Sequence, residues 1–167
     1  MELRQRVLDK RFWGVILGAF LLMLLYNTPV MASSILDVVD WERESTDIAG
    51  DYAEDIQYSL TKGNLFNYGC STITKLASNK VTVSGTTMAH QFCDTLYLYL
   101  YLERKEGGTY DVYKYWNYSD TDLFDLSRSL TVTVPSGYYY RVRGYHAAKD
   151  GGVKESRTTL TNGIYIG

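Results

Sequence analysis

The sequence predicts an all-β fold, in the form of an antiparallel β-sandwich of about seven strands. Beyond residue 62, stretches in which apolar and polar residues alternate are common, whereas stretches with helical periodicity are scarce. Valine, isoleucine, threonine and tyrosine are frequent in the alternating stretches, and these residue types favour strands. Clusters of glycine, proline, serine and aspartate separate the stretches at intervals of 8–15 residues, a spacing typical of a sandwich.

The predicted strands and turns follow in order along the chain. The strands span residues 71–76, 80–89, 94–104, 109–118, 129–134, 138–148 and one or two stretches within 153–166. Glu106–Gly108 supplies a hairpin turn after the third strand, and Lys149–Gly152 supplies another after the sixth. Pro135–Gly137 forms a turn before the sixth strand, and residues 119–125 form a polar connection. Gly85, inside the second strand, marks a bulge or the close approach of another backbone.

The stretch DTLYLYLYLER, residues 94–104, determines which way the third strand faces. Successive residues of a strand point to opposite faces of the sheet. Leucine has no polar atom, so we expect the core side to be formed by Leu96, Leu98, Leu100 and Leu102. Tyrosine tolerates a half-wet face with its hydroxyl in water, so we expect Tyr97, Tyr99 and Tyr101 to point outward.

The segment around Pro135 resembles the turn between the fifth and sixth strands of fibronectin type III domains. Leu130, Val132 and Val134 alternate with polar residues up to a tight corner, and the alternation then continues into Tyr138. In that family a tyrosine after the corner bonds back to the backbone, and the resemblance assigns this role to Tyr138. Val134 stands where the family has proline. The resemblance implies a fibronectin type III or immunoglobulin-like sandwich.

A second resemblance covers most of the chain that follows the predicted signal peptide, residues 33–167. The segments GNLFNYGCSTI, KVTVSGTT, a strand ending near LER, GYYYRVRGYHA and a late ES follow one another in this order. This order is similar to a family of small secreted proteins of Gram-positive bacteria that is known only as a domain of unknown function. The resemblance implies export and a β fold, and it implies no activity or site residues.

A face rich in tyrosine and arginine is the main candidate for a binding site. A fibronectin-like order would place the third strand between the fourth and the sixth. The residues expected to share its outer face are Tyr97, Tyr99, Tyr101, Tyr139, Arg141, Arg143 and Tyr145. Tyr113 and Tyr115 join them if no bulge intervenes. Such a face can rigidify the sheet or lie under residues 33–62, or it can bind an extracellular protein or glycan.

The N-terminus has the pattern of a secretory signal peptide, residues 1–32. Basic residues precede an uncharged apolar run, Phe12–Tyr26, and small residues follow at Val30–Ala32. The run is shorter than the roughly 20 residues that span a bilayer. We therefore expect cleavage near Ala32, a secreted product and no membrane insertion after cleavage.

Residues 33–62 form an acidic lead-in to the sandwich domain, which we place at residues 63–167. The lead-in contains eight carboxylates against two cations. It is either solvated and partly disordered or an arm that folds back onto the slightly basic domain. The whole chain has a formal net charge of −2 and no run of lysine or arginine, so nucleic acid is not an expected partner.

The two cysteines, Cys70 and Cys93, are an even number in a chain expected to be exported. Such a count favours a disulfide, and we expect Cys70 to bond Cys93. The alternative is two free thiols, because many secreted proteins of Gram-positive bacteria avoid disulfides.

The residue patterns that carry catalysis are missing from the sequence. His90 and His146 lie on different elements and fit no metal-binding spacing, so no metal or cofactor is expected. Asp120, Asp122 and Asp125 lack the full calcium-loop pattern and are interpreted as a solvated turn. We expect a non-enzymatic protein that recognises a protein or glycan outside the cell. The alternatives are a self-associating surface or matrix component and, least favoured, a small hydrolase.

Overall fold

Ten strands and no helix make up the part of the chain that the computed structural model describes, residues 39–59 and 65–167. The strands are β1 Asp47–Ile48, β2 Tyr52–Tyr58, β3 Phe66–Ala77, β4 Lys80–Cys93, β5 Thr95–Glu106, β6 Thr109–Asp120, β7 Leu123–Thr133, β8 Tyr138–Asp150, β9 Val153–Leu160 and β10 Gly163–Ile166. They form two packed sheets, which confirms the predicted all-β sandwich. The predicted signal peptide lies outside the described residues.

One sheet has six strands and the other has four. The six-stranded sheet has the order β1-β10-β8-β5-β6, and β9 also pairs with β8. The four-stranded sheet has the order β2-β3-β4-β7. All pairings are antiparallel except that of β1 with β10. β5 therefore lies between β6 and β8, where the sequence placed the third predicted strand.

The core between the sheets confirms the predicted orientation of the leucines. Leu96, Leu98, Leu100 and Leu102 are each fully buried. They face the four-stranded sheet, where a Cβ added at Gly85 would lie 2.7 Å from Leu100 Cδ2. The ladder runs through Gly85 without a register shift, so this glycine marks a close approach of side chains rather than a bulge.

Two boundaries differ from the sequence prediction. Strands β1 and β2 lie within residues 33–62, so the sandwich begins before residue 63. The stretch 119–125, predicted as a polar connection, contains the end of β6 and the start of β7. A turn at residues 121–122 joins them, with Asp122 at φ +56°. Aspartate tolerates this left-handed conformation better than most residues. The chain can therefore reverse within two residues instead of the seven that were predicted for the connection.

The tyrosine that closes the corner after Pro135 is Tyr140 and not Tyr138. The hydroxyl of Tyr140 donates a hydrogen bond of 2.8 Å to the carbonyl oxygen of Pro135. Both tyrosines occupy inward positions of β8, but only Tyr140 is fully buried. Tyr138 instead packs edge-on against Tyr140, with ring centroids 6.5 Å apart. The alternation predicted the correct face but could not decide between two inward tyrosines.

We expect Tyr140→Phe to lower the free energy of unfolding by about 1 kcal/mol, because the ring is kept and one hydrogen bond is lost. Urea denaturation measures the change. The matched control is Tyr139→Phe, which alters the adjacent tyrosine on the opposite face of β8 and should change the unfolding free energy by less than about 0.5 kcal/mol. Equal losses in the two variants would contradict the role of the Tyr140 hydroxyl.

The predicted disulfide is wrong, because Cys70 and Cys93 are both free. Cys70 on β3 pairs with Thr86 of β4, and Cys93 lies seven residues further along β4. Seven strand residues span about 23 Å, whereas disulfide-bonded Cα atoms lie less than about 7 Å apart. Cys70 also faces outward, while Cys93 is buried. Counting cysteines could not reveal this separation.

Candidate functional site

The tyrosines predicted to face outward lie on the outer side of the six-stranded sheet. Tyr97, Tyr99 and Tyr101 are half-buried and alternate with the inward leucines of β5. Tyr99 pairs across strands with Tyr145 of β8, and their ring centroids lie 5.4 Å apart. Tyr139 lies further along β8 on the same side. The structure therefore brings the predicted tyrosines together on one face.

The two arginines of this face are buried rather than presented to solvent. Arg143 is 2% exposed and Arg141 is 8% exposed. Each donates from Nε to one oxygen of Glu103, at 2.6 Å from Arg143 and 2.5 Å from Arg141. Glu103 is itself 2% exposed. One carboxylate thus bridges two guanidinium groups inside the protein, which is the arrangement that makes a buried charge tolerable.

The arginines are covered by residues 39–46, which we call the strap. Arg143 Nη1 donates to the carbonyl oxygen of Asp40, and Arg141 Nη1 donates to Ser45 Oγ at 3.2 Å. The contacts join the sheet to a segment about 100 residues away in sequence. Part of the segment interpreted as an acidic lead-in therefore lies on the Tyr/Arg face.

Further contacts hold the strap across the edge strand β9. The Asp40 amide donates to Thr158 Oγ1 at 3.0 Å, and Arg43 Nη1 donates to the Thr158 carbonyl at 2.8 Å. Arg43 also forms an ion pair of 2.8 Å with Asp55 of β2. The strap thereby contacts the edge strand β9 at Thr158 and connects the six-stranded sheet to the four-stranded sheet.

Asp47, in β1, anchors the chain just after the strap. Its carboxylate forms an ion pair of 2.5 Å with Lys105 and accepts a short hydrogen bond from the Tyr110 hydroxyl. Burial opposes ionisation of Asp47, but the bonds to Lys105 and Tyr110 outweigh it, so the pKa of Asp47 is lowered. Burial and the nearby Asp47 carboxylate raise the pKa of Tyr110. Asp47 is therefore held ionised and Tyr110 neutral.

Three aromatic rings, which we call the aromatic row, run from the strap across the sheet. The Trp41 ring packs edge-on against Tyr101 at 5.1 Å, and Tyr101 stacks on Tyr115 of β6 at 6.3 Å. Trp41 is 48% exposed and Tyr115 is 63% exposed. The Arg143 guanidinium lies 5.2 Å from the Trp41 ring, which helps to orient it. The row offers aromatic surface that the sheet does not cover.

A cleft of about 430 Å³ adjoins the row, between the strap and the turn that joins β5 to β6. Trp41, Tyr110 and Arg141 line it together with the exposed carboxylates Glu42 and Glu44. The lining of the cleft is mostly polar and charged, so it differs from the predominantly apolar lining of typical small-ligand sites.

A bulge separates the two tyrosines of β6 that were expected to share the face. Leu102 pairs with Lys114 but Glu103 pairs with Val112, so Tyr113 is the extra residue. Tyr115 remains on the outer face beside Tyr101, whereas Tyr113 packs against the core and against Tyr140, with ring centroids 6.0 Å apart. The placement of Tyr113 on the outer face was conditional on the absence of a bulge, and the observed bulge puts Tyr113 on the inner side.

The two histidines lie on different strands and differ in exposure. His90 is exposed on β4, whereas His146 is fully buried on β8. Within residues 39–59 and 65–167, no three residues among histidine, cysteine, aspartate and glutamate are placed to hold a metal ion.

Glu103 and Trp41 are site residues that the sequence reasoning did not single out. Glu103 occupies an outward position of β5, and its pairing with Arg141 of β8 puts it between the two arginines. That ion pair was foreseeable from the predicted order of strands. The place of Trp41 was not, because the strap contacts the face through long-range bonds that leave no local pattern.

These features define the class of the protein, an all-β sandwich whose outer aromatic face is partly covered by its own N-terminal strap. Residues 38–164 match a family of unknown function, DUF6147, and the chain belongs to that family. No curated protein and no solved structure matches the chain. In the part that the structure describes, no helix is long and apolar enough to cross a membrane.

Proposed function

We propose that this protein is exported and recognises an extracellular glycan through the aromatic row, without catalysing a reaction. The observation that carries the proposal is the exposure of Trp41 and Tyr115 on either side of Tyr101, with ring separations of 5.1 and 6.3 Å. Rings of tryptophan and tyrosine combine a broad apolar surface with a polar group. Sugar rings, which have apolar C–H faces and polar rims, are complementary to them.

The charges around the row favour a neutral ligand. Arg141 and Arg143 already bond to Glu103 and to the strap, and Lys105 bonds to Asp47. An anionic ligand would have to break these bonds. Glu103 would then remain buried without the guanidinium groups that compensate its charge, which is energetically costly. The same pairing leaves these cations unsuited to nucleic acid, whose binding depends on neutralising phosphates. A protein partner is the main competing ligand.

Export rests on the N-terminal sequence, with its basic start, apolar centre and small residues before Ala32. An origin in Gram-positive bacteria and a relation to fibronectin type III domains belong to the same proposal. The position of β5 between β6 and β8 and the tyrosine bond across the Pro135 corner support that relation.

A glycan array and titration of tryptophan fluorescence test the proposal. We expect the protein to bind one or more neutral glycans, with a change in emission because Trp41 lies in the row. Trp41→Ala and Tyr115→Ser should each weaken binding tenfold or more, which corresponds to about 1.4 kcal/mol. The matched control is Tyr165→Ser, which removes a ring that is 46% exposed on β10 of the same sheet.

Three results would contradict the proposal. The first is that the array shows no binding, and the second is that the aromatic-row variants bind as well as the Tyr165→Ser control does. The third is retention of the protein on cell surfaces from which glycans have been stripped, which would identify a protein partner. Arg143 is left out of the variants because its replacement would unfold the site rather than test it.

Self-association is a second candidate function, favoured by one observation on β6. Among the described strands β6 pairs only with β5, so one edge of a twelve-residue strand has no described partner strand. Val112 and Tyr115 are exposed on it. An open edge of this kind can pair with another chain. Sedimentation that depends on protein concentration would favour this function over glycan recognition.

A further inference from the structure

A bulge in β4 exposes an aromatic ring at one end of the four-stranded sheet. Between two consecutive pairs of the ladder that joins β4 to β7, four residues of β4, 89–92, lie opposite the single residue Phe124. Phe92 in this bulge is 66% exposed, Phe124 is 44% exposed, and their rings pack edge-on with centroids 5.2 Å apart. The Gln91 side chain donates a hydrogen bond of 3.3 Å to Asp150 of β8. Because bulges re-aim side chains, the exposure of Phe92 is a built feature of this strand.

The two phenylalanines continue an apolar rank that crosses the outer face of the same sheet. Tyr58 of β2 pairs with Tyr68 of β3, and Tyr68 pairs with Met88 of β4. Directly paired residues share a face, and this face is the outer one because Gly69, the neighbour of Tyr68, faces the core. Met88 belongs to the last pair before the bulge, so the rank ends where the phenylalanines begin. The apolar band, as we call this surface, consists of Tyr58, Tyr68, Met88, Phe92 and Phe124.

Five carboxylates lie near the bulge, and none of them forms an ion pair with a cation among the described residues. They are Asp94, Asp122, Asp125, Asp150 and Glu155. Asp122 and Asp125 lie on either side of Phe124 in sequence, and Asp94 follows soon after Phe92. The hydrogen bonds that these carboxylates accept come from neutral amide or hydroxyl groups. Such bonds leave the negative charges without a counter-charge.

The environment of Cys93 places three of these carboxylates at the base of the bulge. Burial is the main cause of the raised pKa of the Cys93 thiol, and the three nearby carboxylates raise it further. Two lysines adjoin the carboxylates in sequence but face elsewhere. Lys149 pairs with Lys154, and Lys154 Nζ lies 4.3 Å from the ring centroid of Tyr97 on the outer face of the six-stranded sheet. The surface around Phe92 is therefore negatively charged.

The composition of this surface separates the possible partner classes. Single exposed apolar residues are normal, but a group that extends over four strands marks an interaction site. Phenylalanine, tyrosine and methionine are the residue types enriched in the centres of protein interfaces. The carboxylates would repel nucleic acid and anionic lipid, and a second copy docked through the same surface would bring like charges together. Lysine and arginine side chains are complementary to them.

We propose that the apolar band docks a partner protein through a segment in which apolar side chains are flanked by lysine or arginine. The apolar side chains of the segment cover Phe92 and Phe124, and its cations lie against the surrounding carboxylates. The aromatic row lies on the other sheet and shares no residue with the band. The inference is therefore independent of the proposed glycan recognition.

The test is fluorescence anisotropy of the full chain with three short fluorescein-labelled peptides. The peptides share their leucine and phenylalanine positions, and the intervening positions are all lysine, all serine or all glutamate. The lysine peptide should bind at least about tenfold more tightly than the serine peptide, and the glutamate peptide should not bind. The affinity of the lysine peptide should fall as the salt concentration rises, because salt screens exposed charges.

Variants of the band locate the peptide. Phe92→Ser and Phe124→Ser should each weaken binding of the lysine peptide by about tenfold or more while the melting temperature stays close to that of wild type. Asp122→Asn should weaken binding less and reduce its salt dependence. Its matched control is Asp51→Asn, which removes an exposed carboxylate just before β2, at the opposite end of this strand from Tyr58. Trp41→Ala should bind the peptide as wild type does.

Several results would overturn the inference. The lysine peptide does not bind, the glutamate peptide binds equally well, or Phe92→Ser binds as wild type does. A dimer seen in sedimentation that Phe92→Ser abolishes would assign the band to a second copy instead. Cosedimentation with phosphatidylcholine vesicles that Phe92→Ser abolishes would assign it to a membrane surface. Loss of peptide binding in Trp41→Ala but not in Phe92→Ser would assign the peptide to the aromatic row.

Discussion

Glu103→Gln is expected to lower the free energy of unfolding by about 3–5 kcal/mol, the usual cost of removing one partner from a buried ion pair. Glutamine keeps the shape of the side chain but loses the charge that compensates Arg141 and Arg143, which are 8% and 2% exposed. Because the net stability of a domain is only about 5–15 kcal/mol, this loss should be visible directly in urea unfolding.

The matched control for this prediction is Glu106→Gln at the end of the same strand. Glu106 pairs with Arg104, but half of its side chain is exposed. Exposed pairs contribute about 0–1 kcal/mol, so we expect a small change. Glu103→Gln should also speed proteolysis within the strap, since the arginines that hold Asp40 and Ser45 lose their own anchor. A stability within about 0.5 kcal/mol of wild type would show that the network is not structural.

Acid should destabilise the protein well before most carboxylates titrate, and His146 is the reason. Burial lowers the pKa of His146 from 6.5 to about 3. The folded state therefore keeps the imidazole neutral, whereas the unfolded state takes up a proton below about pH 6.5. Stability is fully present above this pH and is lost as the pH falls towards 3. Linkage gives a loss of about 2 kcal/mol between pH 7.5 and pH 5.

The surroundings of His146 explain why it resists protonation. Its Nε2 lies 2.8 Å from Thr159 Oγ1 and 3.3 Å from Ser71 Oγ, and its Nδ1 lies 3.1 Å from Thr87 Oγ1. These hydroxyls satisfy a neutral ring, but none carries the negative charge that an imidazolium would need.

Unfolding free energies measured at several pH values test the prediction. His146→Gln should be less stable than wild type at pH 7.5 but should lose much less stability by pH 5. His90→Gln, which replaces the exposed histidine, should keep the slope of the wild-type protein. The lowered pKa of Asp47 stabilises the folded state above its ordinary value of 3.8. This stabilisation is lost only as the pH falls below that value, outside the window of about pH 7.5 to 5. Equal slopes for wild type and His146→Gln would refute the assignment.

The packing around His146 shows which part of the core could not be predicted from the sequence. Its even-numbered position on β8 matches that of Val142 and places it on the inner face by simple alternation. The space for the ring comes from a different strand, because a Cβ at Gly69 would lie 2.3 Å from His146 Cγ. No periodicity within one strand reveals which glycine on another strand will face it.

The arginines of β8 show that the burial of an outward residue cannot be predicted from one strand alone. Alternation correctly placed Arg141 and Arg143 on the outer face with the tyrosines. Alternation cannot tell whether another segment covers that face, and the strap does so through backbone atoms of Asp40 and Arg43. The bulge at Tyr113 and the separation of Cys70 from Cys93 likewise depend on pairing between strands.

The sequence by itself determined the all-β class, the principal strands and the side on which the leucines and tyrosines of residues 94–104 lie. Those properties depend on the two-residue period of a strand and on turn residues, which are local. Only the tertiary structure decided that Glu103 bridges two buried arginines and that the strap lies across them. Each of these depends on register between segments distant in sequence, and the energy that selects a register is shared among many contacts.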